Sequence, residues 1–184
     1  MIINNKIESS EKIKELDLNK FPEQIFKSGE EEKIIGFLKK NPVDFYAIRD
    51  KSKASGVFKL KVAADKVLEE IKDYNLFSIN VSSANYVDNQ LLVGEIELLS
   101  NGDVYAILSL DPSASVRDAI RKPDFNLKTT IYDEKLSRIP HFDYIYKYIS
   151  DNNLYDIIVE FALFDKEVGE KKENVIVYEL RTNY

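Results

Sequence analysis

The chain has 184 residues, 44% of them apolar and 32% charged, which excludes a disordered or fibrous protein and leaves enough length for a sizeable core. Its 32 acidic against 26 basic side chains give a formal charge of −6, a poor start for neutralising nucleic-acid phosphates; the absence of cysteine excludes disulfides, thiolate metal sites and thiol nucleophiles. The opening MIINNKIESSEKIKEL holds no apolar core of secretory length and no run approaches the span of a bilayer, so the expected setting is cytoplasmic, with no membrane and no nucleic-acid partner.

The first forty residues read as helical. Ser9 or Ser10 is placed to cap a short helix carrying Ile13 and Leu16, and Phe21-Pro22 opens a turn or second helix through Ile25 and Phe26. After Ser28 an amphipathic stretch carries Ile34, Ile35, Phe37 and Leu38, with acidic residues at its start, Lys39-Lys40 at its finish and Pro42 beyond. The character then changes. Phe45 to Ile48 predicts a short buried strand, Arg49 to Gly56 a polar loop, Val57 to Val62 an alternating strand, and residues 64–73 a helix with Val67, Leu68 and Ile71 on one stripe. Strands are predicted over Leu76–Val81, Gln90–Leu99 and Val104–Leu110. The last two are joined by Ser100-Asn101-Gly102-Asp103, an Asn-Gly turn that tolerates positive φ. A helix follows Asp111-Pro112-Ser113 as far as Lys122, a strand runs near Leu127–Tyr132, a helix follows Pro140, and two strands close the chain over Tyr155–Phe164 and Asn174–Thr182.

Strands dominate the last two thirds and neighbouring pairs are linked as hairpins. The expected class is α+β: a largely antiparallel sheet with helices on one face, in a single domain over 1–184, with a helical segment over 1–42 and a sheet-containing body over 43–184.

Five groups of residues invite chemistry. Arg49, Lys51 and Lys53 follow a buried-looking strand, where cations can hold a phosphate or carboxylate; a solvated turn is the ordinary alternative. In DIIVEFALF, Glu160 interrupts an apolar run on the face of Ile158 and Ala162. In VIVYELR, strand alternation puts Glu179 and Arg181 on the face of Val175 and Val177. If these strands are antiparallel neighbours, Glu160 and Glu179 project from one side and suit Mg²⁺; the alternative is an ion pair with Arg181. Ser113 or Ser115 caps a helix that sets Arg117 and Arg121 on one face, either an anion site or an ordinary capped surface helix. His141 has no partner in sequence and reads as structural, and turn chemistry accounts for Asn80, Ser82, Ser83 and Asn85 as well as a site would.

The stretch FYAIRDKSKAS, together with the closing DIIVEFALF and VIVYELR, resembles the ATP-grasp nucleotide-binding module of the phosphoenolpyruvate synthase and pyruvate phosphate dikinase family. The resemblance implies a phosphate-contacting role for Arg49 at a Val-Arg-Ser-Ser stretch. It implies a metal-ligand role for Glu160 and Glu179, with Arg181 on the arginine of a Gln-x-Arg strand. Asp50 and Lys51 replace the family's hydroxyl residues, Glu179 replaces its Gln, and the Gly-Gly-Lys segment and the phosphate-transferring His domain are missing. What the resemblance implies is therefore a reduced nucleotide-binding relative, with ATP and Mg²⁺ as cofactors.

The function expected from the sequence is a nucleotide or phosphate-ligand binding domain of ATP-grasp-like type. Arg49, Lys51, Lys53 and Arg181 would meet phosphate, and Glu160 and Glu179 a metal; the sequence does not commit to catalysis. The alternative is a non-enzymatic module that binds a protein partner.

Overall fold

The structure, a computed structural model, describes residues 2–3, 5–52 and 57–182. Lys53, one of the expected phosphate-binding cations, lies outside the described residues. The chain falls into two compact units, one of Phe21–Val87 and one of the segments on either side.

In the unit of residues 21–87, four strands pair antiparallel in the order β1-β4-β2-β3: β1 (Glu23–Lys27), β2 (Phe45–Asp50), β3 (Phe58–Ala63) and β4 (Leu76–Val81). The segment expected to be a turn or helix around Ile25 is strand β1. Its period is two, with Phe26 buried against Phe77 while Ile25 stays exposed, and helical propensity yields to pairing with β4. Helix α2 (Glu31–Lys40) presents Ile34 and Phe37 to the sheet. Phe37 meets Phe26 edge-on at 5.9 Å between ring centroids and lies 6.4 Å from Tyr46, whose hydroxyl donates to the Asn41 carbonyl at 2.5 Å. Burying a side chain of this size stabilises by roughly 1.5–3 kcal/mol. The helix expected over 64–73 shrinks to a 3₁₀ turn at Ala64–Lys66 and the single turn α3 (Val67–Glu70), with Val67 buried and Leu68 exposed.

The other unit holds five antiparallel strands in the order β7-β6-β5-β8-β9: β5 (Gln90–Leu98), β6 (Asp103–Ser109), β7 (Phe125–Thr130), β8 (Ile158–Val168) and β9 (Glu173–Arg181). The α+β class holds, and the antiparallel strands are shared between two sheets rather than one. The Asn-Gly turn joins β5 to β6 with Gly102 at φ 91°. One core gathers Leu92, Ile96, Leu98, Val159, Phe161, Leu163, Val175, Val177 and Leu180 from the sheet, Ile13 from α1 (Lys6–Glu15), and Ile145 and Ile149 from α5 (Phe142–Asp151). Helix α1 is capped by Asn5, which accepts from the amides of Ile7 and Glu8. Ser9, an expected cap, is instead buried inside the helix and accepts from the Leu180 amide at 2.7 Å. Helix α4 (Val116–Arg121) lies against β5, β6 and β8. Among the described residues, no helix is long and apolar enough to cross a membrane.

Candidate functional site

Arg49 is the penultimate residue of β2 rather than the start of a loop, because β2 continues pairing with β4 as far as Asp50. The turn after it is built locally. Buried Asp50 accepts from the Ser52 amide at 2.9 Å and from its hydroxyl, and the Lys51 amide donates to Leu76 at 2.8 Å. Strand alternation puts Tyr46 and Ile48 on the face that α2 covers, and Phe45, Ala47 and Arg49 on the other. On that second face Arg49 pairs in register with Phe58 of β3, and its guanidinium carbon lies 4.6 Å from the centre of the Phe58 ring. The Lys61 ammonium lies 4.6 Å from the centre of the Phe45 ring. A guanidinium stacked on a ring keeps its in-plane N–H donors free for an anion. Among the described residues neither Arg49 nor Lys61 has a carboxylate partner. Lys51, by contrast, stands 3.6 Å from Glu23.

The carboxylates belong to the five-stranded unit. Glu160 of β8 lies directly across from Glu179 of β9, so the two project from one side, as expected if the strands pair. The alternation assumed within β9 is corrected. Between Val177 and Glu179 the ladder with β8 takes up one extra residue, Tyr178, while β8 steps only from Phe161 to Glu160. This β-bulge leaves Val175 and Val177 in the core and turns Glu179 to the opposite face. On its other flank Glu160 faces Glu95 of β5. Arg181 reaches back over the row. Its Nη2 donates to Glu95 and lies 3.6 Å from Glu160, and Lys6 of α1 lies 3.3 Å from Glu179. Burial pushes the Glu160 carboxyl above the usual range. Repulsion from Glu179 adds to this, Arg181 opposes it, Glu95 adds again and Lys6 opposes.

Sequence reasoning missed Glu95, Lys6 and Lys61. Glu95 was open to discovery, since LLVGEIELL carries a glutamate inside an apolar strand just as DIIVEFALF does. Lys61 gave no such signal, because only the cross-strand ring contact reveals its place.

The residues as arranged do not fit a resident metal. Among the described residues no group of three His, Cys, Asp or Glu side chains is placed to hold an ion, and the carboxylate row is already met by Arg181 and Lys6. The α4 N-terminus is likewise filled from within. Ser115 caps it, and the Asp118 carboxylate returns to the Ser115 amide at 3.1 Å and hydroxyl at 2.6 Å. Ser82 and Asn85 are structural. Ser82 donates to the Leu60 carbonyl, and Asn85 accepts from the Phe45 amide at 2.9 Å and donates to its carbonyl at 2.7 Å. His141 adopts φ 61° ahead of α5, where its backbone carbonyl accepts from Tyr144 and Ile145.

No protein-family model matches the chain, and no curated protein matches it. Solved structures do. A D-alanine–D-alanine ligase from Helicobacter pylori is 11% identical, with a TM-score of 0.49 over 96% of this chain and 53% of its own. The D-alanyl-alanine synthetase A of Vibrio cholerae O1 biovar eltor is 12% identical, with a TM-score of 0.49 over 97% of this chain and 54% of its own. An N5-carboxyaminoimidazole synthetase from Staphylococcus aureus is 11% identical, with a TM-score of 0.47 over 98% of this chain and 44% of its own. The chain spans about half the length of these structures. None of the three is a phosphoenolpyruvate synthase or pyruvate phosphate dikinase, the family that the sequence resembles.

Proposed function

We propose that the chain is a nucleotide or phosphate-ligand binding module of ATP-grasp-like type, in which the four-stranded unit meets the phosphate. One observation carries this reading: Arg49 and Lys61, two cations without a carboxylate partner among the described residues, lie over aromatic rings on one sheet face. Arg49 is the principal anion donor because its fork can grip two phosphate oxygens at once. Lys51 joins it only by leaving Glu23, an exchange that an exposed pair permits at small cost. The rings of Phe58 and Phe45 provide flat apolar surface beside the charges, suited to a base or another planar group.

Thermal shift with ATP, GTP and inorganic triphosphate, each with and without Mg²⁺, tests the reading. A ligand that binds only the folded state raises the melting temperature, and Arg49→Ala removes that rise. Millimolar ligand without effect on the wild type would end this reading. The magnesium arms address the role that the sequence gave Glu160 and Glu179: a Mg²⁺-dependent rise lost in Glu160→Ala supports a metal there.

A second reading, a module that docks a protein partner, is favoured by a different observation. Edge strand β3 and the residue before it expose Val57, Phe58 and Leu60, and edge strand β1 exposes Ile25. Exposed apolar edges are templates for added strands. Leu60→Gln, outside the Arg49–Phe58 and Lys61–Phe45 contacts, weakens partner capture on this reading while leaving any triphosphate shift of the other reading measurable.

A further inference from the structure

Glu95, Glu160 and Glu179 occupy directly opposed positions on three adjacent strands, so three carboxylates stand in one row on one face. Opposed residues lie roughly 5 Å apart across a ladder. A planar guanidinium with five donors can bridge that spacing, and Arg181 does so between Glu95 and Glu160. Lys6 closes the row at Glu179. The bulge at Tyr178 brings both Glu179 and Arg181 to this face; regular alternation from Val177 would have turned both into the core.

We propose that Arg181 is a built-in counter-cation standing where a divalent ion would otherwise sit, and that the protein holds no divalent metal at this row. Within the row, Arg181 and Lys6 offset two of the three carboxylate charges, which weakens its attraction for an incoming ion. Mg²⁺ adds a requirement of its own. It demands near-octahedral oxygen geometry and sheds water reluctantly, so it competes poorly with a weakly hydrated guanidinium already in contact. The proposal concerns the five-stranded unit alone and stands whether or not Arg49 binds a phosphate.

The test uses Mn²⁺ as probe on the full chain. The free-ion signal is followed by electron paramagnetic resonance, with melting temperature alongside. Wild type is expected to take up no Mn²⁺ that depends on Glu160. Arg181→Gln and Arg181→Met, the second keeping the aliphatic length, are each expected to gain a single Mn²⁺ and a metal-dependent rise in melting temperature. Adding Glu160→Gln removes that gain, and Arg181→Lys, which keeps the charge, stays blind to metal. Uptake by wild type that Glu160→Gln abolishes overturns the proposal. So does a folded Arg181→Gln or Arg181→Met protein that binds no ion. Should neither variant fold, the wild-type titration decides alone.

Discussion

Glu160 faces Glu179 across β8 and β9 because Tyr178 is one residue too many for the ladder. Deleting Tyr178 removes the extra residue, so the ladder runs without a break from the Phe161–Val177 pair to the Glu160–Glu179 pair, with Glu179 and Arg181 still outward and Leu180 still in the core. The expected result is a protein that still unfolds cooperatively in urea; loss of the cooperative transition would contradict it. Tyr178→Thr, which keeps the chain length, should unfold within about 1 kcal/mol of wild type, since only a partly exposed side chain changes.

Gly94 in β5 has φ 152°, and a methyl group there would collide with the Ile107 carbonyl and approach the Leu108 Cα to 2.9 Å. Those atoms are backbone of the paired strand and have no room to move. Gly94→Ala is expected to destabilise by about 3 kcal/mol or more, read as a fall in the urea midpoint. Gly36 in α2 has open space around the same position. Gly36→Ala should raise stability by roughly 0.5–1 kcal/mol, the usual helix-interior difference.

Two carboxyls titrate with opposite sign. Burial, reinforced by Glu179, raises the Glu160 pKa from 4.5, so its contribution to stability is complete below 4.5 and lost as pH rises through the folded value. Asp156 is lowered from 3.8 by hydrogen bonds from the Ser100 hydroxyl and amide, so its contribution is present above 3.8 and lost as pH falls through the folded value. Melting curves from acid to neutral pH should therefore show Glu160→Gln losing the decline above pH 4.5 and Asp156→Asn losing part of the acid-side decline. Matching slopes in wild type and both variants would contradict this.

Asn19 is fully buried, and it ties the β8–β9 hairpin to the segment after α1. Its amide donates to the carbonyls of Val168 and Val175, each at 2.9 Å, and its oxygen accepts from the Lys171 amide at 2.9 Å. Asn19→Ala leaves these backbone groups without their partner, at a cost of about 3 kcal/mol. Hydrogen exchange at Lys171 should accelerate more than at Ile107, which lies on β6, three strands away from β9.

The sequence made the β5–β6 hairpin legible because Asn101-Gly102 names its turn, and β4 because Leu76–Val81 is bounded by polar residues on both sides. Strand β1 was not legible. A five-residue edge strand with a single buried side chain, Phe26, carries too little periodicity to outweigh a helical neighbourhood. Of the candidate site, Arg49 and the Glu160–Glu179 pair could be read from charges set against apolar strands. The bulge could not, because VIVYELR has the same pattern with or without an unpaired residue, and only the partner strand decides. The contact of Arg181 with Glu95 joins residues 86 positions apart, beyond the reach of any local pattern.

The bond from Asn19 to Val168 spans 149 positions, with the whole of Phe21–Val87 lying between. On the ribosome this fixes an order of events. At 5–20 residues per second, about 7–30 s separate the emergence of Asn19 from that of its acceptor. Helix α1 waits through that interval with Ile13 exposed, while the intervening unit is already complete and free to fold. The chain is thus built from the middle outward, and its first helix is among the last parts to find its place.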